Sequence, residues 1–342
     1  MSHFAENELP FTSHIHHDQL SHKWDVTLTR FNRYIKSLLF FNLLFLSILT
    51  FELISFLALV AIFKASSYLA ILLGTFFLTL FCFFVLRLYI QARKPEKLAL
   101  LAEEYIEKCK KTLNFQEQIA EHHIALASSL QKFAANLHEK EYGYYKPPLF
   151  LKSLSATLEK YSCFCHWEDL HQFKELLLTR AVEEHLKVVK LEPTNLEVHA
   201  ALANSYVMLS SLYADPRKYH GFDDSRWISP KRYGPKMQER FRVLSKRAIE
   251  EFKILNDYAP DDPWVHMQLA YSYHDLQMPE EEMSEYEIVL KLSPGDKETL
   301  FKLGMLYLNE GKNAKGLQIY ELLKRTHYKK AERLIKFYGC NE

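Results

Sequence analysis

PDDPWVHMQLAYSYHDLQMPEEEMSEYEIVLKLS (Pro260–Ser293) and PGDKETLFKLGMLYLNEGKNAKGLQIYELLKRTH (Pro294–His327) are consecutive 34-residue stretches that align without a gap. The alignment lays Leu269, Ala270 and Tyr273 over Leu303, Gly304 and Tyr307, and Glu282 and Tyr286 over Gly316 and Tyr320. Ala248 and Phe252 stand before Pro260 as Glu282 and Tyr286 stand before Pro294. The apolar positions fall three and four residues apart, the spacing of one helix face. Small residues let paired helices approach, large ones fill the gap between them, and proline ends the second helix before the next unit begins. Such a period signals helix-turn-helix units that bury their apolar faces only by stacking on one another.

Pro193 has similar surroundings, with Ala181 before it and Leu202, Ala203 and Tyr206 after it. This unit carries His185 where a large apolar residue is expected. The copy starting at Leu196 holds 33 extra residues between Leu202 and Ala248, an insertion at about 214–237. At 282 a glutamate replaces the expected small residue.

Upstream, Leu98, Leu101, Tyr105, Ile106, Cys109 and Leu113 share a helical face, as do Ile119, Leu126, Leu130, Phe133 and Leu137. Pro95 is placed to start the first of these helices, and Tyr142–Pro148 reads as a break. A further helix is expected at about 149–162. No useful strand alternation appears. Glycine and proline, at 9 and 12 in 342 residues, are too scarce for a turn-rich β or low-complexity chain.

From Ser37 to Phe63 the chain reads SLLFFNLLFLSILTFELISFLALVAIF, 27 residues with one ionisable side chain. A second apolar run extends from Tyr68 to about Leu86. Each exceeds or matches the roughly 20 residues that cross a hydrocarbon core, and the short link permits only a helical hairpin. Lys23, Arg30, Arg33 and Lys36 before it, and Arg87, Arg93, Lys94 and Lys97 after it, outweigh Lys64 in the turn, which puts both termini in the cytoplasm. The run starts too far from residue 1, and is too long, for a cleaved signal peptide. Glu52 lies mid-span, roughly opposite Thr79. It reads either as interhelical glue, within one hairpin or between two copies, or as a transport or proton-relay group. No Gly-x-x-x-Gly seam accompanies it.

Lys plus Arg (43) nearly balance Asp plus Glu (42), for a formal net charge of +1, so no nucleic-acid partner is expected from overall charge. Five scattered cysteines point to a reducing compartment. His14, His16 and His17 lack cysteines or helical spacing that would organise a metal site. Residues 1–36 are read as a disordered cytoplasmic tail. Cys163, Cys165 and His166 are spaced too tightly for zinc, and Gly311–Gly316 lacks the Lys-Ser/Thr of a phosphate loop. No cofactor, metal or catalytic residue is assigned, and no enzyme activity is expected.

The repeats, over about residues 170–338, resemble the tetratricopeptide repeat family, with its small residues at positions 8 and 20 and a helix-ending proline at 32. Ala331–Tyr338 would be the capping helix. The resemblance implies an all-α solenoid whose first helices line a groove for a peptide or helix of another protein. Carried over residue by residue, the groove holds Asn204 and Met208, then Trp264, Met267, Gln268 and Tyr271, then Phe301, Lys302, Met305 and Asn309. One branch of the family clamps C-terminal carboxylates. Asn204 and Lys302 match it, while Ala200 and Glu298 replace two of its cations, so an apolar or aromatic-rich ligand is expected instead. In the insertion, Arg217, Lys218, Trp227, Lys231 and Arg232 form a basic and aromatic set, read either as a loop folded over its own groove or as a contact for RNA or an acidic partner.

The expected organisation is therefore a tail (1–36), a two-helix hairpin (37–90), an irregular helical region (95–165) and a repeat domain (166–342). The expected function is a membrane-anchored adaptor or scaffold, with homo-oligomerisation left open. The alternative is a subunit or assembly factor of a membrane complex, with chemistry at Glu52. A bacterial inner membrane is the expected location. Two closely spaced apolar lobes with both ends on one side also resemble, in organisation alone, the chlamydial inclusion membrane proteins, which face the host cytosol.

Overall fold

The computed structural model describes residues 14–62, 67–145, 153–218, 228 and 232–340, with side-chain surroundings from Trp24 onward except at 61, 62, 337, 339 and 340. Among them there is no strand. The helices are α1 (His14–Ile62), α2 (Ser67–Leu113), α3 (Ala120–Asn136), α4 (Ser155–Leu191), α5 (Leu196–Ser211), α6 (Pro235–Tyr258), α7 (Pro263–Asp275), α8 (Pro279–Leu292), α9 (Lys297–Asn309), α10 (Asn313–Thr326) and α11 (Tyr328–Cys340). They fall into two compact units, divided within α4 after Ala181.

In the first unit, α1 and α2 pair antiparallel. Phe41 and Phe45 of α1 meet Phe83 of α2 at 5.9 and 5.5 Å between ring centroids. Farther along, Glu52 meets Thr79. Both helices are long and apolar enough to cross a membrane, and none of the most apolar stretch of either is buried within the chain. A core helix of a soluble domain would have that stretch covered. Beyond it, a conventional core takes over. Phe31 of α1 stacks on Phe173 of α4 at 5.0 Å, Phe173 meets Phe133 of α3 edge-on at 5.7 Å, and Tyr105 of α2 lies 4.7 Å from Phe133.

Three expectations are corrected here. Helix α1 begins at His14, and Thr27, Phe31 and Ile35 are buried, so residues 14–36 are not a disordered tail. The physical reason is the apolar face that Phe31 and Ile35 present to α3 and α4 once those helices are folded. Pro95 lies inside α2 rather than at a helix start. Its missing N–H and its clash with the Gln91 carbonyl cost about 3 kcal/mol. The buried Leu98 beyond it and the Lys94–Asp169 ion pair beside it, at 2.9 Å, hold the helix together across the break. Finally, α4 runs without interruption through the expected boundary at 165/166; of the helix expected at 149–162, residues 155–162 are its beginning, and 149–152 lie outside the described residues.

In the second unit each helix from α5 to α11 packs on the next, and α11 also returns to α9. The sequence period is reproduced as geometry. Asn195, Asp262 and Asp296 cap α5, α7 and α9, each accepting from the backbone N–H two residues on, which satisfies an end group that the helix leaves unpaired. The turns inside the α7–α8 and α9–α10 pairs match as well. Gln277 and Gly311 both adopt positive φ, +57° and +71°. The next amides, of Met278 and Lys312, then donate to Tyr273 O and Tyr307 O at 3.0 and 2.8 Å.

Small residues sit where helices come closest. A Cβ on Gly316 would lie 2.5 Å from Leu308 Cδ2 and 2.7 Å from its Cγ. One on Gly304 would lie 2.9 Å from Leu334 Cδ2 of α11. Leu303, Tyr307, Ile319, Leu323, Ala331 and Leu334 form one buried cluster with Ala270, Met283 and Tyr286, so α11 closes the core of the last pair.

Candidate functional site

A pair of histidines fixes the first helices of two units. His199 Nε2 lies 3.0 Å from Pro193 O and its Nδ1 2.7 Å from Glu251 Oε2. His266 repeats this with Pro260 O at 2.8 Å and Glu285 Oε2 at 2.6 Å. A carbonyl can only accept, so Nε2 of each ring carries a proton. Burial opposes the charged ring of His199. The bonds to Glu251 and Pro193 outweigh it and hold its pKa above the ordinary histidine value. Both rings are therefore packing anchors. The third unit places Leu300 and Ile319 at the corresponding positions, an apolar contact in place of the polar one.

His185 is a different case. It is buried with Nδ1 unpartnered, and burial drives its pKa down to about 4 against the opposing pull of Glu184, so the ring is neutral. Glu282, at the position expected to be small, is buried with its carboxylate 3.1 Å from His274 Nδ1. Its extra atoms are accommodated because the charge is met.

With the first helices so anchored, residues of α7 and α9 that were expected to line a groove meet side by side. Lys302 Nζ donates to Tyr271 Oη at 2.9 Å and sits 4.5 Å from the centre of that ring. Lys302 forms no carboxylate ion pair among the described residues, and its charge helps hold the Glu298 carboxyl below the usual range. Met267, Tyr271, Phe301 and Met305 rest partly buried on the core cluster of α7–α11. Their remaining surface is apolar and held by packing. Gln268 is half-buried beside them, and Asn309 is exposed at the end of α9. Trp264 meets Phe252 of α6 edge-on at 6.2 Å. Asn204 and Met208, on α5, are half-buried.

One residue escaped the sequence reading. Arg333 of α11 places its guanidinium 5.4 Å from the Phe301 ring centre. It stands one period after Thr299, on the helix expected only as a cap. Lys330, also on α11, pairs with Glu298 and holds that carboxyl below the usual range. The carboxylate-clamp pattern is not assembled: Ala200 is buried, and Glu298 already has its cation.

In the insertion, Arg217 is engaged by Asp215 at 2.6 and 2.8 Å, and that contact keeps the Asp215 carboxyl below its ordinary range. Lys218 is exposed and Arg232 half-buried, while Trp227 and Lys231 lie outside the described residues. In the apolar hairpin, Thr79 Oγ1 donates to Glu52 Oε1 at 2.9 Å, and Glu52 Oε2 is buried without a partner. Among the described residues no group of three or more His, Cys, Asp or Glu could hold a metal ion. Cys163 is buried, and His166 Nε2 lies 2.7 Å from Tyr145 Oη.

No protein-family model matches the chain, and no curated protein matches it. Among solved structures it is similar to a thermophilic TPR protein of Thermus thermophilus, with 17% sequence identity and a TM-score of 0.32, over 62% of this chain and 98% of that one. At that level the likeness carries no weight of its own, and the helical-repeat organisation stands on the recurring caps, turns and histidine anchors of this chain.

Proposed function

We propose that the protein is a membrane-anchored adaptor that uses the first helices of its tetratricopeptide-like repeats to hold a peptide or helix of another protein. The observation that carries the reading is the preorganised surface of α7 and α9. Met267, Tyr271, Phe301 and Met305 are fixed by the core beneath them and offer apolar surface at little further entropic cost. The Lys302–Tyr271 pair adds one directed, positively charged contact. A partner segment with aromatic or aliphatic anchors and a carboxylate fits this surface. The apolar helices α1 and α2 would tether the groove to a bilayer, with both termini on the cytoplasmic side. The reading assigns no catalytic step.

The test is affinity capture with the full chain in lipid nanodiscs, compared with a folded variant carrying Trp264→Ala, Tyr271→Ala and Lys302→Glu. A partner held by the first and released by the second supports the adaptor. If every captured protein binds both equally, the groove is not the binding surface.

A second reading, a subunit or assembly factor of a membrane complex with proton or transport chemistry, rests on the unpartnered Oε2 of Glu52. Glu52→Gln separates the two. Under the adaptor reading it leaves partner capture intact, and under the other it abolishes function.

A further inference from the structure

Charge in this chain is balanced overall but not locally. Between Gly311 and Cys340 there are eight Lys or Arg and two carboxylates, in a chain whose formal net charge is +1. Several of these cations are already engaged: Lys312 with Glu280, Lys315 with Glu287, Lys330 with Glu298 and Lys336 with Glu332. Arg333 lies over Phe301 on the groove side. The remaining three, Lys324, Arg325 and Lys329, are exposed and cluster at the turn from α10 to α11 with no carboxylate partner among the described residues, Lys324 lying 5.8 Å from the Tyr320 ring centre. At the same corner Leu322 is 52% and Tyr328 67% exposed. Ala314, Leu317, Leu322 and Arg325 continue the patch along the outer face of α10 as a shallow, mostly apolar depression, with Glu321 its single carboxylate.

Uncancelled cations beside an exposed tyrosine and leucine are the composition that seats at a bilayer interface, where the ring takes the headgroup level and the cations meet anionic lipid. We propose that the α10–α11 corner is a second, electrostatic membrane contact, binding anionic lipid headgroups. The proposal rests on the hairpin anchoring proposed above, since a tether raises the effective concentration of bilayer surface at the corner. An acidic protein would satisfy the cations but leaves Leu322 and Tyr328 without a stated use, whereas the lipid interface uses both.

The experiment is hydrogen exchange on the full chain in nanodiscs of phosphatidylcholine alone and of phosphatidylcholine with roughly a third phosphatidylglycerol. Each basic residue near an anionic surface is worth about a fivefold gain in binding, so three of them should slow exchange in residues 320–330 about tenfold or more in the anionic discs. About 1 M salt should erase the difference, because the screening length falls to about 3 Å. Lys324→Gln, Arg325→Gln and Lys329→Gln together should erase it without unfolding α10, and Tyr328→Ser should reduce it. Equal exchange in both lipids, with residues 40–60 and 70–86 strongly protected, would overturn the corner contact alone. Rapid exchange in those two stretches in both lipids would overturn the anchoring itself, and the corner proposal with it.

Discussion

His199 and His266 are held identically in successive helical pairs, each ring bridging the carbonyl of the preceding proline and a glutamate on the following helix. The contact ties three segments together: the end of one unit, the first helix of the next, and that unit's second helix. At His199 it also makes stability depend on a proton.

Because the folded pKa of His199 is raised, its contribution is fully present below the unfolded histidine value of about 6.5 and is lost as pH rises through the higher folded value. Denaturant titrations from mildly acidic to alkaline pH should show stability falling across that window. His199→Leu should flatten the fall, and an unchanged profile in that variant would count against the linkage.

His266 and Glu285 can be compared with Leu300 and Ile319, their counterparts one period on. Glu285→Ala leaves Nδ1 of a buried ring without its hydrogen-bond partner and should cost about 2 kcal/mol. The paired change His266→Leu with Glu285→Ile should be near neutral, since an apolar pair already serves in the next unit. Thermal unfolding of the two variants distinguishes a polar anchor that is needed from one that is replaceable.

Gln277 adopts the positive φ that Gly311 adopts in the equivalent turn. A side chain in that region costs about 1 kcal/mol or more, so Gln277→Gly should stabilise the unit by roughly 1 kcal/mol. Gly311→Ala should destabilise by a similar amount, measured as opposite shifts of the denaturation midpoint.

Gly304 and Gly316 should respond differently to alanine. At Gly316 the added carbon collides with both Cγ and Cδ2 of Leu308, so the whole side chain must move, for a net cost of about 1 to 2 kcal/mol despite better helix propensity. At Gly304 the nearest atoms are the ends of Leu334 and Ile319, which can yield, and Gly304→Ala should fall within about 0.5 kcal/mol of the parent. Equal losses at both sites would contradict this account.

Lys94 and Asp169 join α2 to α4 beside Pro95, with Asp169 almost fully buried and Lys94 partly exposed. Asp169→Asn should cost about 2 kcal/mol, less than a fully buried pair because water reaches the lysine. Exchange should rise first in α2 around residues 91–98, where the helix already lacks the Pro95 amide.

What the sequence determined by itself was local and periodic. The spacing of Leu269, Ala270 and Tyr273 over Leu303, Gly304 and Tyr307 and the recurring prolines specify helical pairs, because helix faces and stops act within a few residues. The apolar runs at 37–63 and 68–86 specify two long apolar helices for the same reason. Tertiary structure alone decided the rest. It drew residues 24–36 into a helix through Phe31 and Phe173, carried α2 through Pro95, and gave Glu282 a partner in His274. It also brought Arg333 over Phe301 and Lys302 over Tyr271. In each of these the deciding energy comes from a contact between residues on different helices. Such a contact has no period in sequence and exists only once the helices that carry it have packed.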